Sequence, residues 1–230
     1  MALATEVGGE PIVLRPERVA FLPQRGALLV ADAHFGKAHT FRRLGVPVPA
    51  GTTSANLAAL DRALAQTRAS RIVFLGDLLH SRHALQAQLV EEVGQWRLRH
   101  ASLEITLVRG NHDAHAGATP LQWAMQVVDE PWPEGPLDCC HHPEPRAGRY
   151  VLAGHVHPAV RVGHGRHGLR LPCFHFGAAV GVLPAFGGFT GTYVVQPSPG
   201  DRVFVVADDV VRELPLPQET GTSRGRPAAA

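Results

Sequence analysis

The chain has 230 residues, a formal net charge of +2 at pH 7, 45% hydrophobic residues and 18% charged residues. This composition excludes disordered, collagen-like and coiled-coil proteins, and a chain of this length can bury a sizeable core. A net charge this small gives no bulk attraction for nucleic acid, so any basic surface must be local.

The first half of the chain alternates short apolar runs with helical patterns. Residues 26–31 (GALLVA) indicate a buried strand, and Ser54 is expected to cap a helix over residues 55–68. The run RIVFL predicts a second strand, residues 84–99 a second amphipathic helix, and LEITLV a third strand. This order is typical of a parallel sheet covered by helices.

The second half has a different character. Thr119 and Pro120 are expected to open a short helix that ends near Val127. After it, YVLAGHVHP, LRLPCF, TYVV and RVFVVA are short β-rich runs separated by Gly and Pro, which favours a largely antiparallel sheet. We expect one domain over residues 1–214 and, because periodicity is lost, a disordered tail over residues 215–230.

The chain has three cysteines, two of them adjacent, which make a poor disulfide framework and indicate a reducing compartment. The N-terminus MALATEVGGE lacks the basic and apolar segments of a signal peptide. No stretch reaches the roughly 20 apolar residues that span a bilayer. We therefore expect a cytoplasmic protein without a membrane partner.

Residues that bind metals follow five of the predicted strands. Each motif alone is weak, because a D-x-H or a G-D occurs often by chance. In open α/β sheets, however, sites form at the carboxyl ends of strands, so five such ends are expected to converge. The residues concerned are Asp32 and His34, Asp77, Asn111 with His112 and Asp113, His141 with His142, and His155 with His157.

These residue types suit a pair of divalent cations, which lie about 3.5–4 Å apart and need one carboxylate that bridges them. Asp77, between a strand and a loop, is the natural bridge. Asp32 and His34 alternate along an extended chain, so both side chains point to the same side and can hold one ion. Asn111 offers a neutral amide oxygen to the other ion, and the two histidines of G-H-x-H can contribute one ligand to each.

The order D-x-H, G-D, G-N-H-D, H, G-H-x-H over residues 27–158 resembles the calcineurin-like metallophosphoesterase superfamily. The resemblance implies an α/β fold, a four-layer α/β/β/α sandwich of two mixed β-sheets flanked by helices. It also implies a site for two divalent metal ions, with Mn²⁺ first and Fe, Zn or Mg as alternatives. Carried over by motif, the first ion is bound by Asp32, His34 and His157, the bridge is Asp77, and the second ion is bound by Asn111, His141 and His155.

The same resemblance makes His112 a catalytic histidine that is not a ligand, with Asp113 as its orienting partner. The fourth motif stays ambiguous, because members commonly have one histidine there. His141 directly follows the strand-like LDCC and is favoured, whereas His142 is expected to face away and to serve packing or to bond to a ligand. His39 and His175 have no assigned role.

The stretches DAHFGKAHTFRRLGVPVPAGTT, GDLLHS, LRLPCF and LPAFGGFTG resemble, more narrowly, the bacterial ligase-associated DNA damage response endonucleases. This likeness runs to about residue 209. It implies a DNA endonuclease in DNA repair that acts on single-stranded or damaged DNA, with a functional link to an ATP-dependent DNA ligase and a helicase. A homodimer is left open.

Basic residues near the motifs are candidate contacts to backbone phosphates. No aromatic and basic platform for stacking bases is visible in the sequence. The basic residues are Lys37, Arg42, Arg43, Arg82 and Arg109.

The expected reaction is in-line attack on phosphorus by a metal-bridging hydroxide, with His112 as the general acid or as a phosphate-stabilising group. One alternative is a small-molecule phosphatase or cyclic-nucleotide phosphodiesterase that uses the same site. A non-catalytic scaffold of the same fold is a further alternative, which is disfavoured because every ligand position is filled.

Overall fold

The structure is a computed structural model that describes residues 1–43, 45–48, 51–163 and 168–216. Two longer helices and two short ones lie among the strands of these ranges. The α-helices are α1 (Lys37–Arg43), α2 (Thr52–Thr67), α3 (Ala87–Arg99) and α4 (Asn111–Ala116).

The first sheet has seven strands, which lie side by side in the order in which they occur in the sequence. Neighbours are antiparallel from β1 to β4 and parallel from β4 to β7. The parallel strands therefore end at one common edge. The strands are β1 (Leu3–Val7), β2 (Glu10–Leu14), β3 (Ala20–Leu22), β4 (Ala27–Val30), β5 (Arg71–Leu75), β6 (Glu104–Val108) and β7 (Gln126–Val128).

The second sheet has nine strands and is mixed. The pairs β9–β10, β10–β13 and β11–β14 are parallel, whereas the pairs of β12 with β11, β13 and β15, and the pairs β8–β9 and β15–β16, are antiparallel. The strands are β8 (Trp132–Glu134), β9 (Leu137–Cys139), β10 (Tyr150–Ala153), β11 (Pro158–Val162), β12 (Leu169–Phe176), β13 (Val180–Val182), β14 (Tyr193–Val194), β15 (Arg202–Ala207) and β16 (Val210–Leu214).

The core follows from the alternation of side chains along the strands. Leu29 of β4 and Val73 of β5 pack with Leu152 and Phe174 between the two sheets. The intervening side chains, such as Phe74, face the opposite way and pack against α2 and α3. Each fully buried aliphatic or aromatic side chain contributes about 1.5–3 kcal/mol, so the two sheets are held mainly by this burial.

The expected fold of two mixed sheets with flanking helices is confirmed. The parallel arrangement of β4 to β7 and the largely antiparallel second sheet agree with the sequence patterns. The helices that contribute to the core clusters of the described residues lie on the first sheet: α2, α3 and, through Ala116, α4. Among the described residues, the clusters on the other side of the second sheet consist of strand and loop side chains, such as Val160, Val203 and Leu216.

Two local predictions are wrong. The helix expected between Thr119 and Val127 is only a 3₁₀ turn at Leu121–Trp123, followed by β7. Ala124 has a left-handed conformation that ends the turn, and the chain then pairs with β6. Ser54 does not cap α2 either, since Gly51 occupies that position and the Ser54 hydroxyl instead donates to Glu92 of α3.

The tail expected over residues 215–230 lies outside the described residues from position 217 onward. The last described residue, Leu216, still packs on the cluster of Val160 and Val203. No helix within the described ranges combines the length and the apolar character needed to cross a membrane.

Candidate metal centre

The loops that follow β4, β5, β9 and β10 interlock at one edge of the molecule. The amides of Asp32 and His34 donate to the carbonyl oxygens of Gly76 and Asp77, at 3.3 and 2.9 Å. The Nδ1–H of His141, from the second sheet, donates to the carbonyl of Leu75 in β5 at 3.1 Å. Side chains from both sheets thus meet in one pocket, as the strand-end argument predicts.

Asp32, His34 and His157 form the first group of side chains. Their ligand atoms all lie within 4.8 Å of one another. The Nε2 atoms of His34 and His157 are 3.3 Å apart, and Nε2 of His157 lies 3.5 Å from Oδ1 of Asp32. Because Nδ1–H of His157 donates to the carbonyl of Gly191 at 3.1 Å, its Nε2 presents a lone pair to the other two residues.

Asp77, Asn111, His141 and His155 form the second group. Nε2 of His141 lies 2.8 Å from Oδ1 of Asn111, 3.5 Å from Oδ1 of Asp77 and 3.1 Å from Nδ1 of His155. Since Nδ1 of His141 carries the proton, its Nε2 has a lone pair, and this lone pair faces the oxygen atoms of Asn111 and Asp77. Acceptors that converge in this way need a cation among them. Asp32 also lies within reach of Asp77 and His141.

The two carboxylates have a hydrogen-bonding pattern that fits divalent cations. One oxygen of each is held by a backbone amide: Asp77 Oδ1 by that of His112 and Asp32 Oδ2 by that of His155, both at 2.9 Å. Asp32 Oδ1 is buried and makes no hydrogen bond within the described residues. A buried carboxylate oxygen without a partner is costly, and a bound cation removes that cost. The residues present therefore fit the metal ions that the motifs imply.

Burial sets the protonation states of this pocket. Burial, together with the smaller effect of the Lys37 charge, lowers the pKa of His34 to about 2, so this imidazole is neutral and can offer a lone pair. Burial raises the pKa of Asp77, while His141 and the amide of His112 act in the opposite direction. A divalent cation beside Asp77 would favour its ionised form.

The backbone is strained at the same positions. Among the described residues, nine that are not glycine have positive φ, and five of the nine are predicted ligands. Such conformations cost about 1–3 kcal/mol each and persist where the surrounding structure imposes them, often at functional sites. The five are Asp32 (φ 52°), His34 (46°), Asp77 (50°), His155 (70°) and His157 (54°).

Two motif glycines make room for ligands from other strands. A Cβ at Gly76 would lie 2.2 Å from Nδ1 of His141, and one at Gly110 would lie 2.4 Å from Oδ1 of Asp77. Neither contact is sterically allowed. The glycines of G-D and G-N-H-D are therefore required because a neighbouring ligand packs directly on their backbone.

His112 lies at the border of the pocket, with Nε2 3.8 Å from Oδ2 of Asp77. Its Nδ1 lies 2.7 Å from the carbonyl oxygen of His80, to which it donates. Asp113 does not orient His112, and that expected contact is wrong. The Asp113 carboxylate instead turns inward and accepts the amides of Leu79 and Gly110, both at 3.0 Å.

The structure distinguishes the adjacent histidines His141 and His142 by their positions. His141 is fully buried among the other predicted ligands. His142 does not face away, because β9 ends at Cys139 and strand alternation no longer applies. Its ring lies 4.9 Å from that of His155, and its Nδ1 lies 2.7 Å from Oε1 of Glu130. Glu130 Oε2 also accepts the amides of both histidines.

The five predicted basic residues surround the pocket unevenly. Lys37 is half-buried, and burial lowers its pKa, although the nearby charges of Asp32 and Asp77 act in the opposite direction. Arg82 lines an open cleft of about 490 Å³ together with Asn111 and His112.

The other three basic residues are exposed, and two of them make polar contacts of their own. Arg109 pairs with Asp129 at 2.9 Å, and Arg42 donates to the carbonyl of Val48 at 3.4 Å. Arg43 lies at the end of α1.

Sequence reasoning missed two residues of this pocket and left two histidines unplaced. His80, in the stretch GDLLHS, and Glu130 contact His112 and His142 through tertiary structure alone. His39 lies on α1, and its buried Nδ1 makes no hydrogen bond within the described residues. His175 lies on β12, outside the pocket, and its Nε2 is 2.7 Å from Oδ2 of Asp201.

The fold and the sequence match a solved nuclease. The crystal structure of Pseudomonas putida nuclease MPE is 41% identical, covers 93% of this chain and 100% of its own chain, and superposes with a TM-score of 0.83. The chain belongs to the metallophosphoesterase family of nucleases. As a metallophosphoesterase it is a hydrolase of phosphoric ester bonds.

A second solved structure similar to this metallophosphoesterase is YfcE, a phosphoesterase from E. coli. It is 14% identical and has a TM-score of 0.38, over 82% of this chain and 97% of that one. This likeness is too distant to add to the assignment. No family model and no curated protein matches the chain.

Proposed function

We propose that this metallophosphoesterase is an endonuclease that hydrolyses phosphodiester bonds in single-stranded or damaged DNA with two divalent cations, Mn²⁺ in the first place. The observation that carries the proposal is the convergence of lone pairs and carboxylate oxygens from both sheets beside His112. The similarity to the P. putida nuclease supports nucleic acid as the substrate class.

The ligand assignment follows the two groups of side chains. Asp32, whose Oδ1 makes no hydrogen bond within the described residues, would hold the first ion with two histidines, and Asp77 would bridge. Bound divalent cations activate water as a nucleophile and offset charge on the phosphoryl oxygens. The proposed ligands are Asp32, His34 and His157 for one ion, Asn111, His141 and His155 for the other, and Asp77 for both.

His112 is proposed to protonate the leaving oxygen. Its Nδ1–H is held by the His80 carbonyl, so the neutral ring has a bare Nε2 and only the charged imidazolium carries a proton there. The carbonyl fixes the ring, which leaves Nε2 directed at the border of the pocket. Protonation of an alkoxide by a positioned histidine contributes about 10²–10⁴-fold to the rate.

The basic residues are proposed to bind the phosphates on either side of the cut. Lys37 lies beside the carboxylates, and Arg82 lines the cleft with His112. The exposed Arg42, Arg43 and Arg109 would extend this surface, which makes DNA binding fall steeply as salt rises.

The experiment that tests the proposal is nicking of circular single-stranded DNA in the presence of Mn²⁺, together with metal analysis. We expect the wild type to open the circle and Asp77→Asn to lose both bound metal and nicking. Asp201→Asn is the matched control, because Asp201 also contacts a histidine but lies outside the pocket. If p-nitrophenyl phosphate is hydrolysed while the circle stays closed, the small-molecule phosphatase is correct instead.

The biological setting rests on the narrower family resemblance. We propose a role in DNA repair in the cytoplasm, with the ATP-dependent DNA ligase and the helicase acting on the same DNA. Loss of the gene should then sensitise cells to DNA damage, and an Asp77→Asn allele should not restore resistance.

A further inference from the structure

A row of rings leads from the candidate metal centre to the surface. His80 stacks on His112, with ring centroids 5.2 Å apart and an interplanar angle of 26°. Phe41 of α1 follows at 5.9 Å from His80, and Phe189, from the loop after β13, lies 5.6 Å beyond Phe41 at 83°. We call Phe41 and Phe189 the aromatic pair. These residues are distant in the sequence, which is why the sequence alone shows no platform for stacking bases.

The loop that carries Phe189 is fixed to the metal centre by polar contacts. The amide of Gly187 donates to the carbonyl of Asp32 at 3.2 Å, and that of Gly188 to Oδ1 of Asn56 at 3.3 Å. The Thr190 hydroxyl closes the loop on the Gly187 carbonyl at 2.7 Å. Phe189 therefore has a defined position, two residues beyond a contact with a proposed ligand, yet its side chain is 37% exposed.

A cation accompanies the aromatic pair. Nζ of Lys37 lies 6.0 Å from the ring centroid of Phe41, within the range of a cation–π contact. Lys37 also lines a narrow gap with His34, Asn56 and Phe189. Phe189 is exposed and Phe41 partly exposed. Accessible rings beside a cation are suited to single-stranded nucleic acid, because bases stack on the rings and phosphates contact the cation.

We propose that Phe189, supported by Phe41, stacks on one unpaired nucleobase next to the phosphodiester that is cut. This inference rests on the proposed function and specifies its substrate. A base within a duplex has both faces covered by its neighbours, so the aromatic pair selects single-stranded or unpaired positions. A phosphate ester without a base gains nothing from the pair.

The test compares intact single-stranded oligonucleotides with a series in which one abasic site is moved along the strand. For the wild type, we expect kcat/KM to fall by about tenfold when the abasic site occupies the stacked position, which is typical of one base on one aromatic ring. On the intact strand, Phe189→Ala should have the reduced kcat/KM that the wild type has with the abasic site at the stacked position. Moving the abasic site along the strand should not lower the kcat/KM of this variant further. Phe189→Trp should retain the position-dependent loss.

Leu121→Ala is the matched control, since Leu121 is a fully exposed apolar residue on a 3₁₀ turn that does not line the pocket. It should behave as the wild type does. Metal content and the unfolding midpoint verify that each variant is folded. An abasic profile that is the same in Phe189→Ala and wild type overturns the stacking proposal while the nuclease assignment stands. A wild type that binds metal but cleaves no oligonucleotide overturns the nuclease proposal, and the stacking proposal with it.

Discussion

Neighbouring residues of the G-N-H-D motif have separate tasks. Asp113 is buried, and its carboxylate joins the loop after β5 to the start of α4 by accepting the amides of Leu79 and Gly110. His112 is partly exposed and borders the cleft. The motif therefore combines one residue for the architecture of the loop, Asp113, with one that is proposed to take part in the chemistry, His112.

This separation predicts different results for two adjacent substitutions. His112→Ala should lower turnover by about 10²–10⁴-fold, because the proton donor is lost, while metal content and stability stay close to wild type. Asp113→Ala should lower the free energy of unfolding by about 2–3 kcal/mol, because buried amides lose their acceptor. Turnover, metal content and urea unfolding are measured on both proteins. Equal loss of metal in His112→Ala would contradict its role.

A second prediction at this scale concerns Gly76. Gly76 and Gly9 have nearly the same φ, +76° and +79°, but of the two only Gly76 is covered by a neighbouring side chain. Each change to Ala carries the left-handed penalty of about 1–2 kcal/mol. Only Gly76→Ala should also displace His141 and reduce metal stoichiometry, which elemental analysis measures. Equal metal content in both variants would show that the structure accommodates the new Cβ beside His141 without disturbing metal binding.

At the scale of the elements, the sequence predicts strands best where they are buried on both faces. The strands β4, β5 and β6 appear as continuous apolar runs, and the residues that follow them were correctly expected to converge. The strands β1 to β3 were not predicted, because they are short and partly exposed. The helix after Thr119 was wrong because pairing with β6 outweighs a local helix-start signal.

The candidate site likewise contains some residues that the sequence predicts and others that it does not. Its predicted ligands follow buried strands and can be recognised as motifs, whereas the contacts of His80, Glu130 and the aromatic pair exist only through tertiary structure. No spacing rule places Phe189 beside Phe41. Residues that contribute only tertiary contacts are thus harder to find in a sequence than residues that match metal-ligand motifs.

The element scale also offers a test of how the sheets are joined. Arg71 of β5 contacts Glu134 of β8, a buried carboxylate whose Oε2 makes no hydrogen bond within the described residues. Arg71→Met leaves this charge unpaired and should cost about 3 kcal/mol of unfolding free energy. Adding Glu134→Gln removes the charge and should recover part of the loss. Urea unfolding of the wild type, the two single variants and the double variant gives the coupling free energy between Arg71 and Glu134. Losses of unfolding free energy that simply add would contradict the pairing.

At the scale of the whole molecule, the proposed ions connect the two sheets. Asp32, His34, Asp77 and Asn111 follow strands of the first sheet, whereas the three remaining proposed ligands follow strands of the second sheet. Metal binding is therefore coupled to the packing of one sheet on the other, and it belongs to stability as well as to catalysis.

Removal of the metal should accordingly lower the thermal midpoint of the whole domain. A ligand present at a hundred times its dissociation constant stabilises the folded state by about 2.7 kcal/mol, and each kcal/mol shifts the midpoint of a domain of this size by about 2–4 °C. We therefore expect a chelator to lower the midpoint by about 5–10 °C, and Mn²⁺ to restore it. Asp77→Asn, which lacks the proposed bridge, should respond much less to either treatment, while Asp201→Asn should respond as the wild type does. A midpoint that is insensitive to the chelator in a protein shown to have lost its metal would mean that the ions do not couple the sheets.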